Sequence, residues 1–302
     1  MMVERLGLIG CGLMGGSFAL ALKQAGLVRH VVGFSPREST RAKALALGVI
    51  DEAVGSLHEA VRDADVVLLA VPVAATASSL REMAPFLRVD TLLMDVGSTK
   101  GDVVQAAQRH LGDKLPCFVP AHPIAGSERA GVEAAHADLY RGQPLILTPI
   151  AETDATPLAR AHHLWQALGC QVSRMSPEAH DATFAAVSHL PHLLAFAFIQ
   201  GLSEQPQGAE FMSLAGPGFR DFSRIAASDP AVWRDIFSAN ASELLVQLSH
   251  FRHALTSFET QLQALAQGQT DQNLTQNSAP HLAMLEQQIA QASAVRAKWK
   301  AH

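Results

Sequence analysis

Near the N-terminus, Gly10-Cys11-Gly12-Leu13-Met14-Gly15 places glycines at the first, third and sixth positions, directly behind an apolar run and ahead of a helical pattern from Leu13 to Ala25. That spacing suits a pyrophosphate. The first glycine permits a tight turn, the second lets the backbone approach the phosphates, and the third allows the helix to pack closely on the strand. Leu13 and Met14 open the helix, where unpaired N–H groups and the macrodipole favour negative charge. A dinucleotide is the expected ligand.

About 20 residues beyond such glycines, a site for NAD has an Asp or Glu that accepts the ribose hydroxyls. Here Ser35 stands in that place, and Arg37, Ser39, Thr40 and Arg41 cluster beside it. A 2′-phosphate would meet no carboxylate there and would find a cation in Arg37. NADP is therefore favoured over NAD, against the plainer reading of Arg37 and Arg41 as a solvated helix face.

Three further segments bunch polar residues beside glycines: Asp95–Lys100, Ala121–Glu128 and Gly216–Arg224. The first two follow strand-like runs, at the end of an open α/β sheet where ligands bind. Taken singly, their residues have ordinary readings. His122 before a proline reads as incidental, Ser98 as the N-cap of a helix beginning near Thr99, and Arg224 as a surface arginine paired to Asp221 or Asp229. His189 and His192 flank Pro191, which should break or kink a helix. A zinc site on His180, His189 and His192 has no supporting Cys pair or H-E-x-x-H motif.

The elements that must position these residues are legible in the periodicity. Apolar runs at Leu6–Ile9, Val31–Phe34, Val66–Val71, Leu92–Val96 and Pro144–Thr148, with weaker ones at Phe118–Val119 and Gln171–Arg174, alternate with helical patterns. Such alternation builds βαβ units. The fold class expected is α/β, a Rossmann-type doubly wound parallel sheet over residues 1–175, followed by an all-helical domain over 176–302. Ser35-Pro36-Arg37-Glu38 reads as a capping box with proline at the first helical position. Leu244, Leu248, Phe251, Leu255, Phe258, Leu262 and Leu265 form a 3.5-period seam, for a helix inside the same domain or for a second subunit. Gln267–Asn277 reads as a polar loop before a last helix.

With 48% apolar and 17% charged residues and a net charge of −5, the chain is globular in composition and offers no basic stretch for nucleic acid or an anionic membrane. A small molecule is the expected partner. The three cysteines, Cys11, Cys117 and Cys170, form no framework or C-x-x-C motif and read as buried thiols. The start carries no secretory pattern, and the most apolar stretch, Val66–Ala75, is too short to span a membrane. A cytoplasmic protein is expected.

Taken together and in order, Gly97-Ser98, His122-Pro123-Ile124-Ala125-Gly126-Ser127-Glu128, Ser188-His189-Leu190-Pro191-His192, Gly218–Arg224 and Asp229–Asp235 resemble prephenate dehydrogenases and their arogenate-using relatives, enzymes of tyrosine synthesis. The resemblance runs from Gly7 to about Phe258. It implies oxidative decarboxylation of a cyclohexadienyl substrate with hydride transfer to NAD or NADP. It makes His122 the catalytic histidine and Ser98 the residue at the substrate hydroxyl and cofactor. It gives Arg224 the ring carboxylate and places Ser127, Glu128 and His192 near the substrate; His189 is read as structural and Trp233 as a core residue. It also implies a homodimer through the helical domain. The competing readings are a β-hydroxyacid dehydrogenase and a dinucleotide-binding sensor without catalysis.

Overall fold

The run from Val3 to Ile9 is β1, the helical pattern from Leu13 follows it on schedule, and the whole first half repeats the alternation in this computed structural model, which describes residues 2–126, 129–270 and 275–299. In chain order come β1 (Val3–Ile9), α1 (Leu13–Gln24), β2 (Val28–Phe34), α2 (Glu38–Ala46), β3 (Glu52–Ala53), α3 (Leu57–Val61), β4 (Val66–Leu69), α4 (Thr76–Met83), β5 (Leu92–Asp95), α5 (Gly101–His110) and β6 (Phe118–Val119). These strands form one parallel sheet in the order β3-β2-β1-β4-β5-β6. That order is the dinucleotide-binding topology, with the switch point beside β1. Its strands read as near-continuous apolar runs because helices cover both faces, and every residue of β4 and β5 is buried.

After β6 the chain leaves this sheet. β7 (Ala121–Pro123) pairs antiparallel with β8 (Pro144–Leu147), and β8 pairs parallel with β9 (Gln171–Arg174) across α6 (Ala155–Ala167). The two strands that periodicity did not reveal, β3 and β7, have two and three residues, too short for a pattern to appear. Phe18, Tyr140 and Trp165 fill the core between α1 and the second sheet, with Trp165 against both other rings.

Among the described residues, every element from Pro177 onward is helical: α7 (Pro177–Phe184), α8 (Leu190–Ser203), α9 (Gly208–Ser213), α10 (Pro217–Ser223), α11 (Pro230–Ala239), α12 (Ala241–Thr270) and α13 (Thr275–Lys298). Pro191 neither breaks nor ends this first run. A π-helical turn over Ala185–His189 precedes it, and Pro191 sits in the first turn of α8. The carbonyl that loses its i+4 donor there belongs to Val187, an exposed residue. The resulting helix, Pro177–Ser203, is by length and composition able to cross a membrane, a property not visible in the stretch judged most apolar from sequence. Three of its polar residues, His180, Asp181 and His189, are buried.

Contacts divide the chain into two units, Met1–Leu244 and Leu245–His302. Within the second, the remainder of α12 and α13 run antiparallel, tied by His281 to Gln261 at 2.8 Å and by Gln288 to Ser257 at 2.5 Å. The seam is only partly covered: Leu255 and Leu262 are more than half exposed. The expected loop over Gln267–Asn277 is helical through Thr270 and again from Thr275, so both helices run further than the polar composition suggested.

Three local expectations need correction. α2 begins at Glu38 with Arg37 at its N-cap and no side-chain cap, and the hydroxyl of Ser35 instead accepts from the backbone N–H of Cys11 at 2.8 Å. α5 begins at Gly101, so Ser98 is not its cap. Cys117 is half-exposed, its thiol donating to the carbonyl of Val89 at 3.1 Å, whereas Cys11 and Cys170 are buried.

Candidate active site

The glycine turn has the shape of a phosphate cradle. Gly10 has φ +100, and a Cβ there would lie 2.2 Å from the carbonyl oxygen of Ala70, so only glycine fits. A Cβ on Gly15 would strike the Gly10 carbonyl at 2.2 Å, whereas one on Gly12 would meet nothing within 4 Å. Open space therefore lies over Gly12, at the N-terminus of α1, and no side chain caps that helix. Leu13 and Met14 present the first N–H groups toward it. The residues fit a dinucleotide pyrophosphate. At the end of β2, Arg37 and Thr40 lie beside Ser35 with Arg37 exposed, while Arg41 donates to the carbonyls of Ser35 and Pro36.

A cavity of about 630 Å³ opens beside β7, lined among others by His122, Ile124, Phe184, Ser188, His192 and Arg224. Thus three of the residues singled out from sequence, His122, His192 and Arg224, share one wall. Ser98, half-buried on the turn between β5 and α5, is not among the lining residues, and Ser127 and Glu128 lie outside the described residues. Phe184, Ser188 and His192 follow one another at four-residue spacing across the π-helical turn, so a single helix face supplies them. Arg224 is brought there by α10, whose Phe219 and Phe222 pack on Phe198 of α8 with ring centroids 5.7 and 5.3 Å apart.

Behind His122 stands a chain of hydrogen bonds that sequence reasoning missed. His122 Nδ1 is 2.8 Å from His180 Nε2, and His180 Nδ1 is 2.8 Å from Asp181 Oδ1. Asp181 also accepts the backbone N–H groups of Lys100 (2.9 Å) and Gly101 (2.7 Å), capping α5 from outside that helix. Burial alone would raise the Asp181 carboxyl, but the bonds from His180 and from the helix N-terminus outweigh it and hold it below the ordinary range. An ionised carboxylate only accepts, so His180 Nδ1 carries a proton and its Nε2 accepts. His122 Nδ1 must then donate, which leaves the Nε2 of His122 as an unprotonated acceptor. Burial, reinforced by the Lys100 cation and by the disfavoured sharing of positive charge with His180 and His189, keeps His122 well below the usual 6.5. The arrangement is that of a general base with an orienting partner.

The other histidines are fixed differently. His192 Nδ1 donates to the Ser188 carbonyl at 3.0 Å, and its ring stacks on Trp233 with centroids 3.5 Å apart. Trp233 thus belongs to the wall behind the cavity. His189 is buried, with Nδ1 3.1 Å from the amide nitrogen of Asn240, which also donates to the Asp181 carbonyl at 2.8 Å. Burial lowers His189 to about 4.

Comparison with known proteins agrees over nearly the whole chain. The family model for the prephenate dehydrogenase nucleotide-binding domain matches residues 18–174, and that for the prephenate dehydrogenase dimerization domain matches residues 176–277. A cyclohexadienyl dehydrogenase of Zymomonas mobilis is 38% identical over 259 residues, 85% of this chain and 88% of that protein. The crystal structure of a prephenate dehydrogenase from Aquifex aeolicus, in complex with hydroxyphenyl propionate and NAD+, superposes with a TM-score of 0.83 at 33% identity, covering 97% of this chain and 99% of that one. A Synechocystis arogenate dehydrogenase gives 0.80 at 28% identity, covering 98% and 100%.

Proposed function

The chain belongs to the prephenate dehydrogenase family, and from that premise we propose that it oxidatively decarboxylates prephenate, arogenate or both, in tyrosine synthesis. The observation that carries the reading is the Asp181–His180–His122 chain, ending in an acceptor nitrogen on a cavity shared with Arg224. When bound, the dinucleotide supplies the hydride acceptor. His122 Nε2 accepts the proton of the ring hydroxyl as hydride leaves the same carbon, and His180 stabilises the positive charge that develops. Loss of carbon dioxide then makes the ring aromatic. Arg224 holds the ring carboxylate in a bidentate fork. Ser98 contacts the hydroxyl from the cofactor side, His192 is a further substrate contact, and Ser127 and Glu128 are assigned to the substrate side chain.

NADP is the preferred cofactor in this reading, supported by Ser35 in place of an acid and by exposed Arg37 beside it. Gly10, Gly12, Leu13, Met14, Gly15, Ser35, Arg37 and Thr40 form its site. The division into a dinucleotide domain (1–175) and a helical substrate-binding and dimerisation domain (176–302) is supported by the boundary between the two family models. A homodimer through the latter fits the name of the second model and the uncovered Leu255 and Leu262. A cytoplasmic location fits a biosynthetic role.

Formation of reduced nicotinamide, followed by absorbance with prephenate and with arogenate, each with NAD and NADP, tests the reading. Turnover of either substrate is expected. Turnover of a β-hydroxyacid alone, or of nothing, would reject it.

A further inference from the structure

The place where the chain changes sheets carries a buried ion pair. β6 pairs with β5 in the parallel sheet, and two residues later β7 belongs to the other sheet, so Ala121 has left the ladder that β5 would provide. Two side chains replace that ladder. The Ala121 N–H donates to Asp95 Oδ1 at 3.0 Å, and the Ala121 carbonyl accepts from Lys100 Nζ at 2.9 Å. Lys100 and Asp95 are themselves paired, with side chains 0% and 3% exposed, and Asp95 also accepts the Gly97 N–H at 2.8 Å. Both backbone groups of the residue preceding His122 are therefore fixed by one pair rooted in the turn that carries Ser98. A buried pair is weak evidence for stability, since apolar residues of similar volume often serve as well or better, whereas the bonds of this pair fix the geometry of Ala121 against the turn.

We propose that Asp95 and Lys100 are positioning residues for His122, setting it relative to the Ser98 turn by holding Ala121. The proposal rests on His122 being the base. Groups facing His122 are His180 and Asp181 on α7, His189 beyond them, Lys100 with Asp95 beneath, and His192 and Arg224 on the cavity. Among these only Lys100 and Asp95 change in the test.

Lys100→Met leaves an uncompensated buried carboxylate and is prone to misfold. The double variant Asp95→Asn, Lys100→Met removes the charge of both and leaves the Ala121 carbonyl without its donor. With folding verified by thermal melt, kcat is expected to fall about 10- to 100-fold, the scale of a misplacement near 1 Å, with little change in KM for cofactor or substrate. The acid limb of kcat/KM should also move, because the charged pair beside His122 is gone and the ring it positions is displaced. A folded double variant with normal kcat and an unmoved limb would overturn the proposal, since a merely structural pair shifts melting alone. His122→Asn measured in parallel separates the two claims: if it too leaves turnover and limb unchanged, the base assignment fails first.

Discussion

His122 and His180 face one another through ring nitrogens 2.8 Å apart, and the Asp181 carboxylate behind His180 decides which of the two donates. Because the carboxylate accepts three bonds and gives none, the protons along the chain are fixed one after another, and only the far nitrogen of His122 is left basic.

Asp181→Asn tests that polarity. The amide offers a donor where the chain requires an acceptor, so His180 and then His122 can adopt the wrong tautomer. By analogy with removal of the carboxylate from a Ser-His-Asp triad, kcat should drop on the order of 10²- to 10⁴-fold with a modest change in KM. Steady-state kinetics on a variant of normal secondary structure checks this, and retention of more than a tenth of kcat would contradict it.

Arg224 separates a charge-assisted contact from a surface ion pair by magnitude. The first is worth roughly 2–4 kcal/mol in a site shielded from water, the second about 0–1 kcal/mol. The substrate carboxylate is present in the ground state and drains as carbon dioxide leaves. Arg224→Ala should therefore raise substrate KM on the order of 30-fold, with a smaller fall in kcat and little effect on the cofactor. Arg224→Lys should restore part of the loss, since a point charge lacks the fork. A normal KM in a less heat-stable alanine variant would make Arg224 structural and turn attention to Arg220.

Arg37→Ala should weaken NADP far more than NAD, measured as the ratio of their kcat/KM values, because only NADP has a 2′-phosphate to pair. Equal losses, or an NAD preference in the unchanged enzyme, would remove this assignment.

Acid should destabilise the protein earlier than carboxylate titration alone would. Burial holds His122, His180, His189 and His192 below the ordinary value of 6.5, so the unfolded chain takes up protons that the folded chain refuses. Stability is full above about pH 6.5 and falls as pH drops below it. For His189 the loss is complete near pH 4 and amounts to on the order of 3 kcal/mol. Urea midpoints between pH 7 and pH 4 should fall, and fall less steeply in His189→Gln. Parallel slopes for the two proteins would show that His189 is not among the groups responsible.

Much of this was legible before any fold was seen, because it rests on local rules. The glycine spacing, the apolar strands and the change to helix after Met175 each follow from a few neighbouring residues. What escaped depends on residues distant in sequence. His180 and Asp181 appeared as a weak zinc ligand and an unremarked acid, yet α7 lays them against His122 and the start of α5, 58 and 81 residues away. Lys100 stood in a polar segment whose serine drew notice, and its burial follows only from the chain changing sheets at Ala121. Ser35 likewise looked like a helix cap until Cys11, 24 residues earlier, claimed its hydroxyl.

The most direct measurement is the pH dependence of kcat/KM for the unchanged enzyme and for His122→Asn. The unchanged enzyme should hold its activity through pH 6.5 and lose it only well below, as His122 finally protonates. His122→Asn should lose about 10²-fold or more in kcat and show no such limb, with substrate binding less affected. An acid limb of the same position in both proteins would contradict the account, since another group would then be the one that must lose its proton.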